Sequence, residues 1–193
     1  MKVQDKKRPV GRHPSHPAPG NLRIIQDFLN TVEHRTGGDV LKDPAAVSAW
    51  LSSRDLLPPD TPLDQAAWRS AIELREGLRE LVGGNPTSAL AERLNRAAGT
   101  VRPRLRFEAD GSLRLITVDG GWPAAAGGML LAVFEAKLAG RWSRLKVCRE
   151  DSCRRLFYDA AKNRLGKWCN VRRCGVPLHS KTYRRRQARR DRR

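Results

Sequence analysis

Apolar residues recur at helical spacing from Leu22, where Ile25, Phe28, Leu29 and Val32 fall at i, i+3, i+4 and i+7. Gly37-Gly38 closes this helix and its exit loop. Asp43-Pro44 reads as an N-cap with proline at the first helical position, opening a short helix that carries Val47, Trp50 and Leu51. Leu57-Pro58-Pro59 breaks it. The longest helix is expected from about Thr61-Pro62, with a stripe of Leu63, Ala67, Ala71, Leu74, Leu78 and Leu81 and a stop at Gly83-Gly84. A further helix follows Asn85-Pro86, with Leu90, Leu94 and Ala97 on one face. The period then shortens to two. Arg104-Leu105-Arg106-Phe107 and Leu113-Arg114-Leu115 alternate around Asp110-Gly111, the pattern of a β-hairpin. After Gly120-Gly121 and Pro123, residues 124–139 are helical and apolar on every side, through Met129, Leu130, Leu131, Val133, Phe134 and Leu138, which predicts a centrally buried helix.

This pattern predicts a mostly α chain with a small β-hairpin: a helical N-terminal domain, then a small module bearing four cysteines, then a basic C-terminal helix. The expected boundaries are 1–21 for a disordered basic arm, 22–140 for the helical domain, 141–183 for the cysteine module and 184–193 for the basic tail. The arm is read from Pro9, Pro14, Pro17, Pro19, Gly11 and Gly20, which support neither helix nor central strand. No apolar run follows Lys2, Lys6, Lys7 and Arg8, and no stretch approaches the ~20 apolar residues of a membrane span, so a cytoplasmic chain is expected.

Charge separates the regions more sharply than composition does. The 193 residues carry a formal net charge of +18. Residues 24–140 hold 13 Lys/Arg against 15 Asp/Glu, whereas residues 141–193 hold 19 against four. So strong an excess at one end points to a polyanionic partner. Lys181, Arg184, Arg185, Arg186, Arg189 and Arg190 are the principal candidates for phosphate contacts, with Arg164, Lys167 and Arg172 as candidates nearer the cysteines. A charge run alone is usually a solvated face; its attachment to a metal module favours nucleic acid.

All four cysteines, Cys148, Cys153, Cys169 and Cys174, lie in that basic third, spaced C-x4-C-x15-C-x4-C. Two close pairs joined by a loop are what one tetrahedral Zn²⁺ needs, and thiolate sulfur prefers zinc to magnesium or calcium. The spacing matches no ferredoxin pattern, and two disulfides would need an oxidising compartment. Four protein thiolates leave no open position, so the expected Zn²⁺, one per chain, is structural. Lys146, Arg149, Arg154, Arg155, Lys167, Arg172 and Arg173 would offset the negative charge of the cluster. His179 reads as a surface histidine.

The same residues carry a family resemblance. Cys148-x4-Cys153, Leu156-Phe157-Tyr158-Asp159, Lys162-Asn163, Lys167-Trp168-Cys169 and Cys174-Gly175 resemble the bacterial CGNR zinc-finger proteins. In that family an N-terminal ABATE domain precedes the finger. Asp27-Phe28-Leu29-Asn30-Thr31 resembles the opening helix of that domain, and Asp119-Gly120-Gly121-Trp122 its entry into the last helix. The naming motif departs here: Cys174-Gly175 is followed by Val176-Pro177 in place of Asn-Arg, while all four ligands remain. The resemblance implies a stress-induced transcription regulator.

The leading functional expectation is therefore a DNA-binding transcription regulator whose helical domain senses a small-molecule effector or dimerises. A zinc-stabilised RNA-binding protein is the alternative, and a protein-interaction scaffold the third. No Walker loop, G-x-G-x-x-G turn or H-E-x-x-H pair occurs, so no enzyme is expected. Asn30 and Thr31 are polar on an otherwise apolar helix and are the candidates for a ligand pocket, although such residues more often satisfy a helix end.

Overall fold

A computed structural model of the chain describes residues 17–84, 86–99, 101–117 and 120–176. Most of the expected arm and all of residues 177–193, which include the tail candidates Lys181, Arg184, Arg185, Arg186, Arg189 and Arg190, lie outside the described residues. The end of the arm is described and packs: Ala18 is buried in the main core, and its N–H donates to Gln26 Oε1 at 2.7 Å.

Among the described residues, five α-helices build the larger part: α1 (Leu22–Leu29), α2 (Pro44–Ser52), α3 (Gln65–Gly83), α4 (Ser88–Ala98) and α5 (Gly121–Leu138). Six strands among the described residues pair as three antiparallel two-stranded ribbons. They are β1 (Val32–Glu33) with β2 (Gly38–Asp39), β3 (Pro103–Phe107) with β4 (Leu113–Thr117), and β5 (Leu145–Val147) with β6 (Leu156–Tyr158). Among the described residues no helix is long and apolar enough to cross a membrane.

Local chemistry sets the helix starts. Asp43 Oδ1 accepts from Ala46 N–H at 2.7 Å, and Pro44 occupies the first turn, as its sequence requires. α3 begins later than Thr61-Pro62, because Asp64 supplies the cap by accepting from Ala67 N–H at 2.7 Å. Thr87 caps α4, its Oγ1 accepting from Leu90 N–H at 3.1 Å. Gly84, at φ +86°, ends α3 in the left-handed conformation that glycine adopts without a Cβ penalty.

The main core gathers Leu22, Ile25, Phe28 and Leu29 from α1, Val47 and Leu51 from α2, Leu74 and Leu78 from α3, and Met129 from α5. The Phe28 and Trp50 rings meet at 5.5 Å. Two expectations are corrected. Val32 leaves the helix and starts β1, since α1 ends at Leu29. α5 is not buried on all sides: Phe134 and Leu138 are exposed, while the small residues Ala125, Ala126, Ala132 and Ala136 face the core. Trp122, Met129 and Val133 are buried on the same face, so the contact surface mixes large side chains with alanines that let neighbouring helices approach closely.

The core does not stop at the cysteine module. Leu145 on β5 and Leu156 on β6 belong to it, and Leu156 is fully buried. Phe157, the next residue, points the other way and packs with the four cysteines. The alternation of a single strand thus gives one side chain to each core.

Candidate metal centre

β5 and β6 place the first cysteine pair. Cys148 follows β5 directly and extends the ladder, its N–H donating to Arg155 O at 2.8 Å. The intervening turn closes on Glu150 O, which accepts from Cys153 N–H at 2.8 Å and Arg154 N–H at 3.0 Å. The second pair is set by a short helical turn, Val171–Gly175, capped by Asn170, whose Oδ1 accepts from Arg173 N–H at 3.0 Å. Arg149 N–H donates to Lys167 O at 3.0 Å and ties the two knuckles together.

The four sulfurs converge. All lie within 4.8 Å of one another, with Cys153–Cys169 at 3.6 Å and Cys169–Cys174 at 3.7 Å, and all four residues are buried. Bonds of about 2.3 Å from a tetrahedral zinc would separate the sulfurs by roughly 3.8 Å. A disulfide would need about 2.05 Å. Without a cation the cluster is electrostatically frustrated. Hydrogen bonds from Cys148 and Cys169 hold the Cys153 thiol far below its ordinary range. Cys169 is driven strongly upward as the donor in such bonds, and burial followed by the charge near Cys148 and Cys153 pushes Cys174 up to about 11. A soft dication removes that conflict by letting all four become thiolates. The donor set fits one Zn²⁺ with no open coordination position, which makes the site structural.

Arg35 supplies positive charge from outside the module. Its Nη2 donates to Cys174 Sγ at 3.3 Å, and the nearby Cys153 sulfur also favours its charge. Burial disfavours its charge, but the two thiols outweigh burial and raise its pKa. Arg35 stands on the turn between β1 and β2, which Arg75 anchors to α3. The buried Arg75 guanidinium takes both Asp39 carboxylate oxygens at 2.7 Å and donates to Thr31 Oγ1 at 3.1 Å. Nothing in the sequence near residue 35 signals this role, because the contact spans 139 positions.

A second buried polar centre shapes the loop before Cys169. Asp159, 4% exposed, accepts from Lys146 Nζ at 2.7 Å, Gly166 N–H at 2.8 Å and Ala161 N–H at 3.1 Å. A Cβ on Gly166 would come within 2.8 Å of that carboxylate. A Cβ on Gly175 would meet the Trp168 ring at 2.9 Å, so the residue after the fourth ligand is glycine because the indole lies on its backbone.

Arg164, Lys167 and Arg172 are all exposed on this module. Arg164 lies in the loop that Asp159 organises, and its carbonyl accepts from Lys146. The candidates Asn30 and Thr31 have their polar groups engaged inside the protein. Asn30 Nδ2 donates to Leu156 O and its Oδ1 accepts from Leu156 N–H, both at 2.9 Å. Thr31 Oγ1 donates to Phe28 O at 2.7 Å.

No curated protein matches the chain. Two family models do. The CGNR zinc-finger model matches residues 144–187, the stretch that holds the four-sulfur site. The model matching residues 22–142 covers more than half of the chain, and the protein therefore belongs to the ABATE family, described as "Putative stress-induced transcription regulator", with a CGNR zinc finger following the ABATE domain.

Proposed function

We propose that the protein is a DNA-binding transcription regulator in which the zinc finger and the basic chain after it hold the duplex. The observation that carries this reading is the segregation of charge. Residues 141–193 hold 19 Lys/Arg against four Asp/Glu, whereas residues 24–140 are close to balanced. Within the finger, exposed Arg164, Lys167 and Arg172 have no ion pair among the described residues, so phosphate would be their first strong partner. The family description supports a regulatory role. Zinc takes no part in chemistry here; it fixes the backbone that presents the cations. The helical domain would sense an effector or dimerise, and no catalytic step is assigned.

The RNA reading has one observation in its favour. Phe107 is 76% exposed on the β3–β4 ribbon, where an aromatic can stack on an unpaired base. Arg106 beside it is already paired with Glu108 at 2.9 Å, which weakens that platform as a phosphate site. Capture of nucleic acid by the full-length, zinc-loaded chain, followed by sequencing of what is retained, tests both. Enriched duplex DNA is expected. Retention of RNA alone would transfer the function to the RNA reading, and retention of neither would end both.

A further inference from the structure

The helical domain and the zinc finger enclose a cleft of about 710 Å³. One wall carries Arg79 from α3 and Arg93 from α4; the other carries Lys146, Arg149, Arg154 and Lys167. Among the described residues, two carboxylates, Glu76 and Glu80, line it with them. Arg93 pairs with Glu80, and Lys146 is held by Asp159 behind the wall. Arg149, Arg154 and Lys167 make no ion pair among the described residues.

Arg79 is the most constrained of the six. It is buried, and its guanidinium donates to Leu29 O, to Arg154 O at 2.9 Å and to His34 Nε2 at 2.6 Å, three neutral acceptors. Its nearest carboxylate, Glu76, is 3.8 Å away. Burial first, then Arg75 and Arg154, lower its pKa, and burial followed by Arg79 and Arg154 lowers that of His34. Six cations from the two domains thus line one cleft against two carboxylates and the Cys148 thiol, an excess of positive charge that an entering anion relieves.

We propose that this cleft binds a phosphate-bearing small molecule that bridges the helical domain and the zinc finger. The volume is that of a small-molecule site. Guanidinium groups match phosphate oxygens in paired hydrogen bonds, and so many cations exceed what one carboxylate can satisfy, which favours a diphosphate or a nucleoside phosphate. Lys167 is shared with the proposed duplex surface, whereas Arg79, Arg149 and Arg154 belong to the cleft and Arg164 and Arg172 do not line it.

Phosphate could also arrive as nucleic-acid backbone, and the experiment separates the two sources. Pyrophosphate and ADP are titrated by calorimetry into the full-length zinc-loaded chain without nucleic acid, then duplex DNA is titrated separately. One pyrophosphate per chain is expected, with affinity reduced about 10-fold or more in Arg149→Gln/Arg154→Gln, the change expected for lost charge-assisted bonds. Arg172→Gln/Arg173→Gln removes the same charge outside the cleft and should leave pyrophosphate binding intact. Zinc content and melting verify the fold. Should the cleft double variant misfold, Glu80→Gln removes a competing carboxylate and should tighten pyrophosphate several-fold. No pyrophosphate binding, an equal loss in both double variants, or a cleft variant that loses only duplex affinity would overturn the proposal.

Discussion

Asn30 and Leu156 exchange two hydrogen bonds of 2.9 Å across 126 residues, so the side chain at the end of α1 completes the backbone pairing of β6. Leu156 itself lies in the helical core. The zinc finger is therefore joined to the helical domain by backbone satisfaction as well as by apolar contact. Asn30→Ala should leave both Leu156 groups without that partner and cost about 2 kcal/mol. For a chain of this size the expected fall in Tm is roughly 4–8 °C, with zinc still bound at 25 °C. An unchanged Tm would show that water replaces the side chain without loss.

Arg35 acts on the cluster without being a ligand. Arg35→Met keeps most of the side-chain volume and removes the charge beside Cys153 and Cys174. Zinc affinity, read by competition with a chromophoric chelator, should fall about 10-fold, at the lower end of what outer-shell partners contribute. Arg35→Lys should recover part of it. Equal affinity in all three chains would confine Arg35 to domain docking.

Loss of the metal should be felt beyond the finger. The reduced protein should carry one zinc per chain. Replacing any of Cys148, Cys153, Cys169 or Cys174 with serine, or stripping zinc with a chelator, should lower the Tm of the whole chain, because Leu145 and Leu156 lose the scaffold that presses them into the main core. A helical domain that melts at the same temperature with and without zinc would show two independent units.

Acid should attack two carboxylates and the metal together. Burial raises the pKa of Asp159, but the Lys146 hydrogen bond and the Gly166 and Ala161 N–H groups outweigh it, and the net shift is downward. Asp39 is also lowered: burial opposes, and the Arg75 hydrogen bonds prevail. A carboxyl group whose folded pKa is depressed adds stability that is complete above its unfolded pKa, about 4, and is lost as pH falls through the folded value. Stability at constant zinc should therefore decline below about pH 4, and Asp159→Asn should remove part of that decline. The loop 160–167 in that variant should exchange amide hydrogens faster at pH 7, since Gly166 N–H and Lys146 lose their anionic acceptor.

Much of this architecture is written in local chemistry. The Asp43 cap, the Gly84 stop and the hairpin around Gly111 depend on neighbours within a few residues, and the sequence shows them directly. The four ligands were legible for the same reason, since close cysteine pairs are a local pattern with one common use. Val32 was misplaced because its spacing fits the α1 stripe, while the helix ends where Asn30 turns to meet a strand 126 residues away. The exposure of Phe134 is not legible because an all-apolar helix does not say which face is covered; here the covered face holds Trp122, Met129 and Val133 together with the alanines. Arg35 and Arg79 were invisible as site residues, because both act through contacts that exist only once the two domains meet.

The salt dependence of duplex DNA binding by the full-length, zinc-loaded chain tests the proposed function most directly. If Lys181, Arg184, Arg185, Arg186, Arg189 and Arg190 each meet a phosphate, the slope of log affinity against log salt should be about −5, at roughly −0.9 per contact. Arg185→Ala/Arg189→Ala should flatten it by about 2 with zinc content unchanged. An affinity independent of salt, or one that survives truncation at Tyr183 undiminished, would contradict the tail's part in holding DNA.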